Sequence, residues 1–404
     1  MKYVEGGVTA AEGFTASGVY CGIRKNKSKP DLAMICSRVM CSAAAVYTQN
    51  LVKGAPLVVT EKNIADGKAR AVICNSGNAN TCNADGEEKA WLMCEAAAKE
   101  LGCAPQDVVV ASTGVIGQIL PIEPIRQAMP ALVKALSPAG SADAARAIMT
   151  TDTQAKNLAV EFTVGGKKAH IGGIAKGSGM IHPNMATMLC FLTTDAAVSP
   201  QVLSAALHEA VNVSFNMVSV DGDTSTNDMT AILASGLAGN EPIEQGTEAY
   251  RVFTQALTDI AVRLARMVAK DGEGATRLLV CRVTGAKSHE DAVLASKSVI
   301  CSSLVKAAMF GADANWGRIL CAVGYSGART DIHAVDVAFR SKAGYIPVCK
   351  DGAGIPFDEE LAKRILLQDE IDMEVTLHDG GAEATAFGCD LTYEYVKING
   401  EYRT

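Results

Sequence analysis

KGSGMIHPNMATML (176–189) runs on into CFLTTDAAV (190–198), and the change of texture between them decides how this chain is read. The first half has the Gly, Ser, Pro and Asn of a loop. From Ala186 onward the run is continuously apolar, of strand length and partly β-branched, which predicts a strand covered on both faces. Thr187 therefore stands at the head of a core strand, after a loop able to strain the peptide before it. That placement suits an N-to-O acyl shift in which the Thr187 oxygen attacks the carbonyl of Ala186. Hydrolysis of the ester would free the α-amine of Thr187. With a reference pKa near about 8 and its own hydroxyl beside it, this amine can act as general base without a histidine. On pattern alone a plainer reading outweighs this one, because Thr is common at strand starts as a β-branched residue.

Upstream of the junction, 157–179 reads as two strands joined by a Gly-Gly hairpin turn at 165–166. Further strands are predicted over 32–37, 55–61, 70–77 and 107–114, and beyond the junction over 277–285, 331–340, 371–377 and the closing LTYEYVKING (391–400). Helices fit 87–101, 124–136, 141–149, 200–211, 247–269 and 290–308. In 247–269 the stripe Tyr250, Phe253, Leu257, Ile260, Leu264 and Val268 marks one apolar face. The elements do not alternate strictly as βαβα, so the class is α+β, layered, and 404 residues call for two or three packed lobes.

Composition narrows the function. A net charge of −7 gives no electrostatic reason to bind nucleic acid or an anionic membrane. No apolar stretch reaches membrane-spanning length and the amino terminus lacks a secretory pattern, so a cytoplasmic protein without a membrane partner is expected. The 13 cysteines sit singly, with no C-x-x-C, and the 6 histidines take no ligand-like spacing. Reduced buried thiols and no metal are the expectation.

Other segments could carry chemistry. In ASTGVIG (111–117), Thr113 and Gly114 could offer a hydroxyl and a backbone N–H to a developing oxyanion. NSGNAN (75–80) lacks a dinucleotide or P-loop fingerprint. In DGEGATR (271–277), Glu273 between glycines could meet a ligand's amino group, and MTTDT (149–153) clusters three Thr with an Asp; each is more often a cap or turn. VDGDTSTND (220–228) is a loose acidic loop without the ligand spacing of a calcium site. No Ser-His-Asp constellation can be assembled.

Taken in order, GGVTAAEGF (6–14), NSGNAN, STGVIG, MTTDT, AKGSGMIHPNMATML (175–189), VDGDTSTND, DGEGATR, FGADANWGRI (310–319) and YVKINGEYRT (395–404) resemble the ornithine acetyltransferase (glutamate N-acetyltransferase) family of arginine biosynthesis, across essentially the whole chain. The resemblance shifts the weight on Thr187 to the nucleophile. It implies a two-lobed fold similar to the N-terminal-nucleophile-like aminopeptidases, and self-cleavage between Ala186 and Thr187 into an α chain of 1–186 and a β chain of 187–404. It also implies ping-pong transfer of acetyl from N-acetylornithine to glutamate through an ester on Thr187. Thr113 and Gly114 match the family's oxyanion hole; Thr153, Lys176, Thr187, Glu273, Asn399 and Thr404 match its substrate-binding positions. No cofactor is implied, acetyl-CoA stays open as a second acetyl donor, and the α and β fragments are expected to pair as an α2β2 heterotetramer. Rival readings are an aminopeptidase or amidohydrolase with the same nucleophile, and a non-catalytic protein that kept the fold.

Overall fold

The computed structural model describes residues 1–182 and 188–401. Among them the chain forms two sheets with helices between and around them. The Gly-Gly hairpin is where the sequence puts it: Lys156–Val164 pairs antiparallel with Lys167–Lys176, and both Gly165 and Gly166 take positive φ in the turn. Lys167–Lys176 pairs in turn with Leu189–Thr194, every residue of which is buried, as a strand covered on both faces requires.

The first sheet has nine strands. Its order is Lys2–Val4, Lys156–Val164, Lys167–Lys176, Leu189–Thr194, Met229–Ala234, Leu32–Tyr47, Lys68–Asn78 and Val108–Val115, with Phe14–Val19 paired to Leu32–Tyr47 off this path. Two strands from after residue 187, Leu189–Thr194 and Met229–Ala234, are thus flanked on both sides by strands from before it. The second sheet, seven strands, is drawn wholly from residues after 187.

Helix Glu248–Lys270 lies between the sheets. Its buried stripe packs on Lys156–Val164 and Lys167–Lys176 of one sheet and on Leu278–Ala286 and Ala382–Cys389 of the other, so one apolar core runs through both. Helix Pro200–Asn212 packs beside it. Two further clusters serve the first sheet, one under Ser141–Ile148 and one under Gly86–Leu101 and Ile122–Lys134. All 13 cysteines are unpaired, and burial pushes the thiols of Cys74 and Cys94 up to about 12, which leaves them unreactive packing groups.

Two strand predictions are corrected. APLVVTE (55–61) opens helix Ala55–Asn63, not a strand. Pro56 sits in its first turn, and Leu57, Thr60 and Asn63 turn one buried face to the sheet, where the Thr60 hydroxyl donates to Val110 O at 2.7 Å. Tertiary burial overrides the β propensity of the Val pair. LTYEYVKING likewise forms helix Tyr393–Glu401, described below. The stretch 290–308 is two helices, His289–Cys301 and Ser303–Phe310, because Ser302 leaves helical geometry and caps the second. Strands Phe14–Val19, Met229–Ala234, Gly344–Lys350 and Ala382–Cys389 were not anticipated.

Candidate active site

Two small-residue turns meet at one end of the first sheet. Lys68–Asn78 and Val108–Val115 run parallel, which sets Gly77 against Gly114 before the ladder slips at Asn78. Gly114 takes φ +129°, and a Cβ there would lie 2.4 Å from the carbonyl carbon of Gly77, so only glycine fits. Thr113 and Gly114 line a cleft of about 320 Å³ at this end.

Lys176, the last residue of its strand, is buried and lines the same cleft. No described residue bonds to its ammonium or forms an ion pair with it. Beneath it runs a buried ionic network. Lys156 pairs with Asp152 at 2.7 Å and with Asp271 at 2.6 Å. Asp152 also accepts from Gly177 N at 2.7 Å and Thr150 N at 3.0 Å. Burial pushes the Asp152 carboxyl up, but the ammonium groups of Lys176 and Lys156 outweigh it, and the acid is held well below the usual carboxylate range. The network fixes the 150–154 turn, so that Thr150 and Thr151 face the cleft. Thr151 then bonds Ser178 at 2.7 Å.

Glu273 enters from the other side. Its backbone N–H donates to Ser178 O at 2.9 Å, and its carboxylate comes so near Gly179 that a Cβ there would sit 2.4 Å from it. Asn399 donates from Nδ2 to Glu273 Oε2 at 2.8 Å. It reaches that carboxylate because the tail is helical: Asn399 lies one turn past Tyr395, on whose carbonyl the same amide also rests at 3.1 Å. Thr392 anchors the helix by donating to Gly274 O at 2.7 Å, and Gly274 lets the backbone of Tyr395 approach. Asp221 holds the segment before the junction, accepting from Met180 N at 2.6 Å and Ile181 N at 2.9 Å, while Met180 takes a left-handed φ of +55°.

Five residues singled out from the sequence thus share one cleft: Thr113, Gly114, Lys176, Glu273 and Asn399. Thr153 does not line it; its N–H and hydroxyl go to Asp271 at the end of the long helix. Ala186, Thr187 and Thr404 lie outside the described residues. Sequence reasoning passed over Asn227, which also lines the cleft, and the Lys156 network. The density of Asp, Thr and Asn in VDGDTSTND was the signal for the first; the second had none, since Asp271, which completes it, is distant in sequence.

The ArgJ family model matches residues 15–404. The arginine biosynthesis bifunctional protein ArgJ of Symbiobacterium thermophilum is 52% identical over 100% of both chains. ArgJ 1 of Clostridium acetobutylicum is 50% identical over 98% of this chain and 97% of its own. Among solved structures, ArgJ of Bacillus halodurans matches with a TM-score of 0.50 at 43% identity, covering 52% of this chain and 97% of its own. With the α+β fold and the gathered cleft, these matches make the chain a member of the ArgJ family, the acetyltransferases of arginine biosynthesis.

Proposed function

We propose that this enzyme cleaves itself between Ala186 and Thr187 and then moves an acetyl group from N-acetylornithine to glutamate through an ester on Thr187. One observation carries the reading. A buried ammonium, Lys176, with no partner among the described residues, and a carboxylate, Glu273, line the same cleft as the Thr113–Gly114 turn. A cleft with one anchor of each sign suits an amino acid carrying a second charge.

In this mechanism Lys176 binds the α-carboxylate and Glu273 the side-chain ammonium of acetylornithine. The Thr187 hydroxyl attacks the acetyl carbonyl and passes its proton to its own α-amine. The oxyanion leans on the Thr113–Gly114 turn. As the C–N bond breaks, ornithine leaves with that proton and the acetyl stays as an ester. The amine of glutamate then attacks the ester, and the Thr187 oxygen recovers a proton as N-acetylglutamate departs. The Asn399 amide suits both side chains, since it can present Oδ1 to an ammonium or Nδ2 to a carboxylate. Met188, the described residue nearest the nucleophile in sequence, supports the placement: its carbonyl accepts from Met229 N at 2.9 Å, two residues from cleft-lining Asn227. The solved Bacillus halodurans chain corresponds to about half of this one, the size of one product of a cut at 186/187, which supports the cleavage. The relatives' description as bifunctional fits a second donor, acetyl-CoA, feeding the same ester.

Intact-mass analysis of wild type and Thr187→Ala tests the proposal. Two fragments meeting at 186/187 are expected in the wild type and one uncut chain in the variant. An uncut wild type that still transfers acetyl would sink the mechanism. Assays of acetylornithine with glutamate, and separately of acetyl-CoA with glutamate, fix the donors, and release of free acetate alone would favour the hydrolase.

A further inference from the structure

Asn227 is buried at 5% exposure on the rim of the cleft, and all its polar capacity is used. Its Nδ2 donates to Ala79 O at 2.6 Å and to Ser112 O at 2.9 Å. Its Oδ1 accepts from the hydroxyls of Thr81 and Thr226, each at 2.6 Å. The amide cannot be turned over, because that would set an oxygen against two carbonyls. Gly54 is part of the arrangement: a Cβ there would come within 2.6 Å of the amide.

The two carbonyls matter for where they are. Ser112 O belongs to the peptide that carries the N–H of Thr113, so a bond to that oxygen fixes the plane of the peptide and the direction of its N–H. Ala79 closes the neighbouring turn, and its own N–H donates to Val115 O at 2.8 Å, just beyond Gly114. Ser112 is held on its other side by its hydroxyl, which bonds Asn75, and Asn75 donates to Asn78 O at 2.9 Å. Asn227 therefore grips the near end of the Thr113–Gly114 turn directly and holds Ala79, whose N–H meets the far end at Val115. It comes from a different part of the chain: it immediately precedes Asp228 and strand Met229–Ala234, which pairs with Leu189–Thr194 at the head of which the nucleophile is proposed to stand.

We infer that Asn227 is a positioning residue for acyl transfer, setting the oxyanion-binding turn in register with the strand that carries the nucleophile. The inference rests on the function proposed above. It assigns Asn227 no contact with the reacting atoms. Its effect falls on stabilisation of the tetrahedral intermediate, which depends on donors held within a few tenths of an ångström. The consequence is a loss in kcat with KM for acetylornithine little changed, since Lys176 and Glu273, the proposed charge anchors, are untouched.

The experiment compares wild type with Asn227→Asp, which sets an oxygen against the two carbonyls at unchanged size, and with Asn227→Ser, which removes the grip. Each is measured for extent of cleavage by intact mass, for melting temperature, and for kcat and KM normalised to the cleaved fraction. A fall in cleavage rate or kcat of about tenfold or more, with KM within about threefold and the melting temperature within about 3 °C, is expected for at least one variant. Unchanged rates in both variants overturn the inference. So does a raised KM at constant kcat, or a rate loss found only together with a large drop in melting temperature. A wild type that is uncut and inert toward acetylornithine defeats the parent reading instead, and is recognised before either variant is tested.

Discussion

Lys156 shows how much of this site is held by a residue outside the cleft lining. Its ammonium is buried between Asp152 and Asp271, and the pair of carboxylates fixes the 150–154 turn below the cleft. Lys156→Met would leave two buried carboxylates without their shared cation, an expected loss of about 3–5 kcal/mol by urea denaturation at neutral pH. The pH dependence has a defined sign. Asp152 is held below its unfolded value of 3.8, so its contribution is present above that pH and lost as pH falls through the depressed folded value. The gap between wild type and variant should accordingly narrow in acid, and a gap constant with pH would count against the network. None of this was legible in the sequence, because Asp152, Lys156 and Asp271 acquire meaning only when the fold joins them. Glu273 was legible as a charge set between glycines, and Lys176 only through the resemblance of its motif to the family. Thr153 illustrates the limit: the MTTDT motif drew attention to the right turn, but it is Thr150 and Thr151 that face the cleft.

Among the elements, the carboxyl-terminal helix Tyr393–Glu401 departs furthest from expectation. Its Tyr, Val and Ile residues suggested a strand, yet no sheet edge receives it. Within the helical turn Asn399 bonds both the Tyr395 carbonyl four residues back and the Glu273 carboxylate. Burial and the carboxylates of Asp221 and Glu273 push the Tyr395 hydroxyl above its ordinary range, so the phenol stays protonated there. Much of the helix surface is exposed, and Tyr393 reaches Phe310 edge-on with ring centroids 5.6 Å apart. Removing residues 399–404 should therefore cost little stability, a shift of about 2 °C or less, while kcat/KM for acetylornithine falls about tenfold or more. Equal loss of both would mean that the tail only braces the fold. The hairpin at 165–166, the helix 248–270 and the strand beginning at Leu189 were readable because pattern and tertiary role agree there. Helix Ala55–Asn63 was not, since its β-branched residues owe their conformation to packing on the strand behind them.

Across the whole molecule the proposed cut falls within the first sheet's path. Leu189–Thr194 and Met229–Ala234 lie between Lys167–Lys176 on one side and Leu32–Tyr47 on the other, so the two fragments share continuous ladders rather than a simple face. The cleft is shared as well: Thr113, Gly114 and Lys176 precede the cut, while Asn227, Glu273 and Asn399 follow it. Cleaved enzyme is expected to elute from gel filtration as one species containing both fragments, separating only in denaturant. Separation in native buffer would contradict this strand order. With such interleaving, the proposed cleavage would also change the thermodynamics of the protein. Once the peptide bond is gone, unfolding releases two bodies instead of one, and the freed translational entropy favours the unfolded side. Melting of the cleaved wild type should then rise with protein concentration, whereas uncut Thr187→Ala should melt at a temperature less dependent on dilution. Maturation would in this sense exchange a unimolecular folding equilibrium for a bimolecular one, and dilution becomes a stress that the precursor did not face in that form.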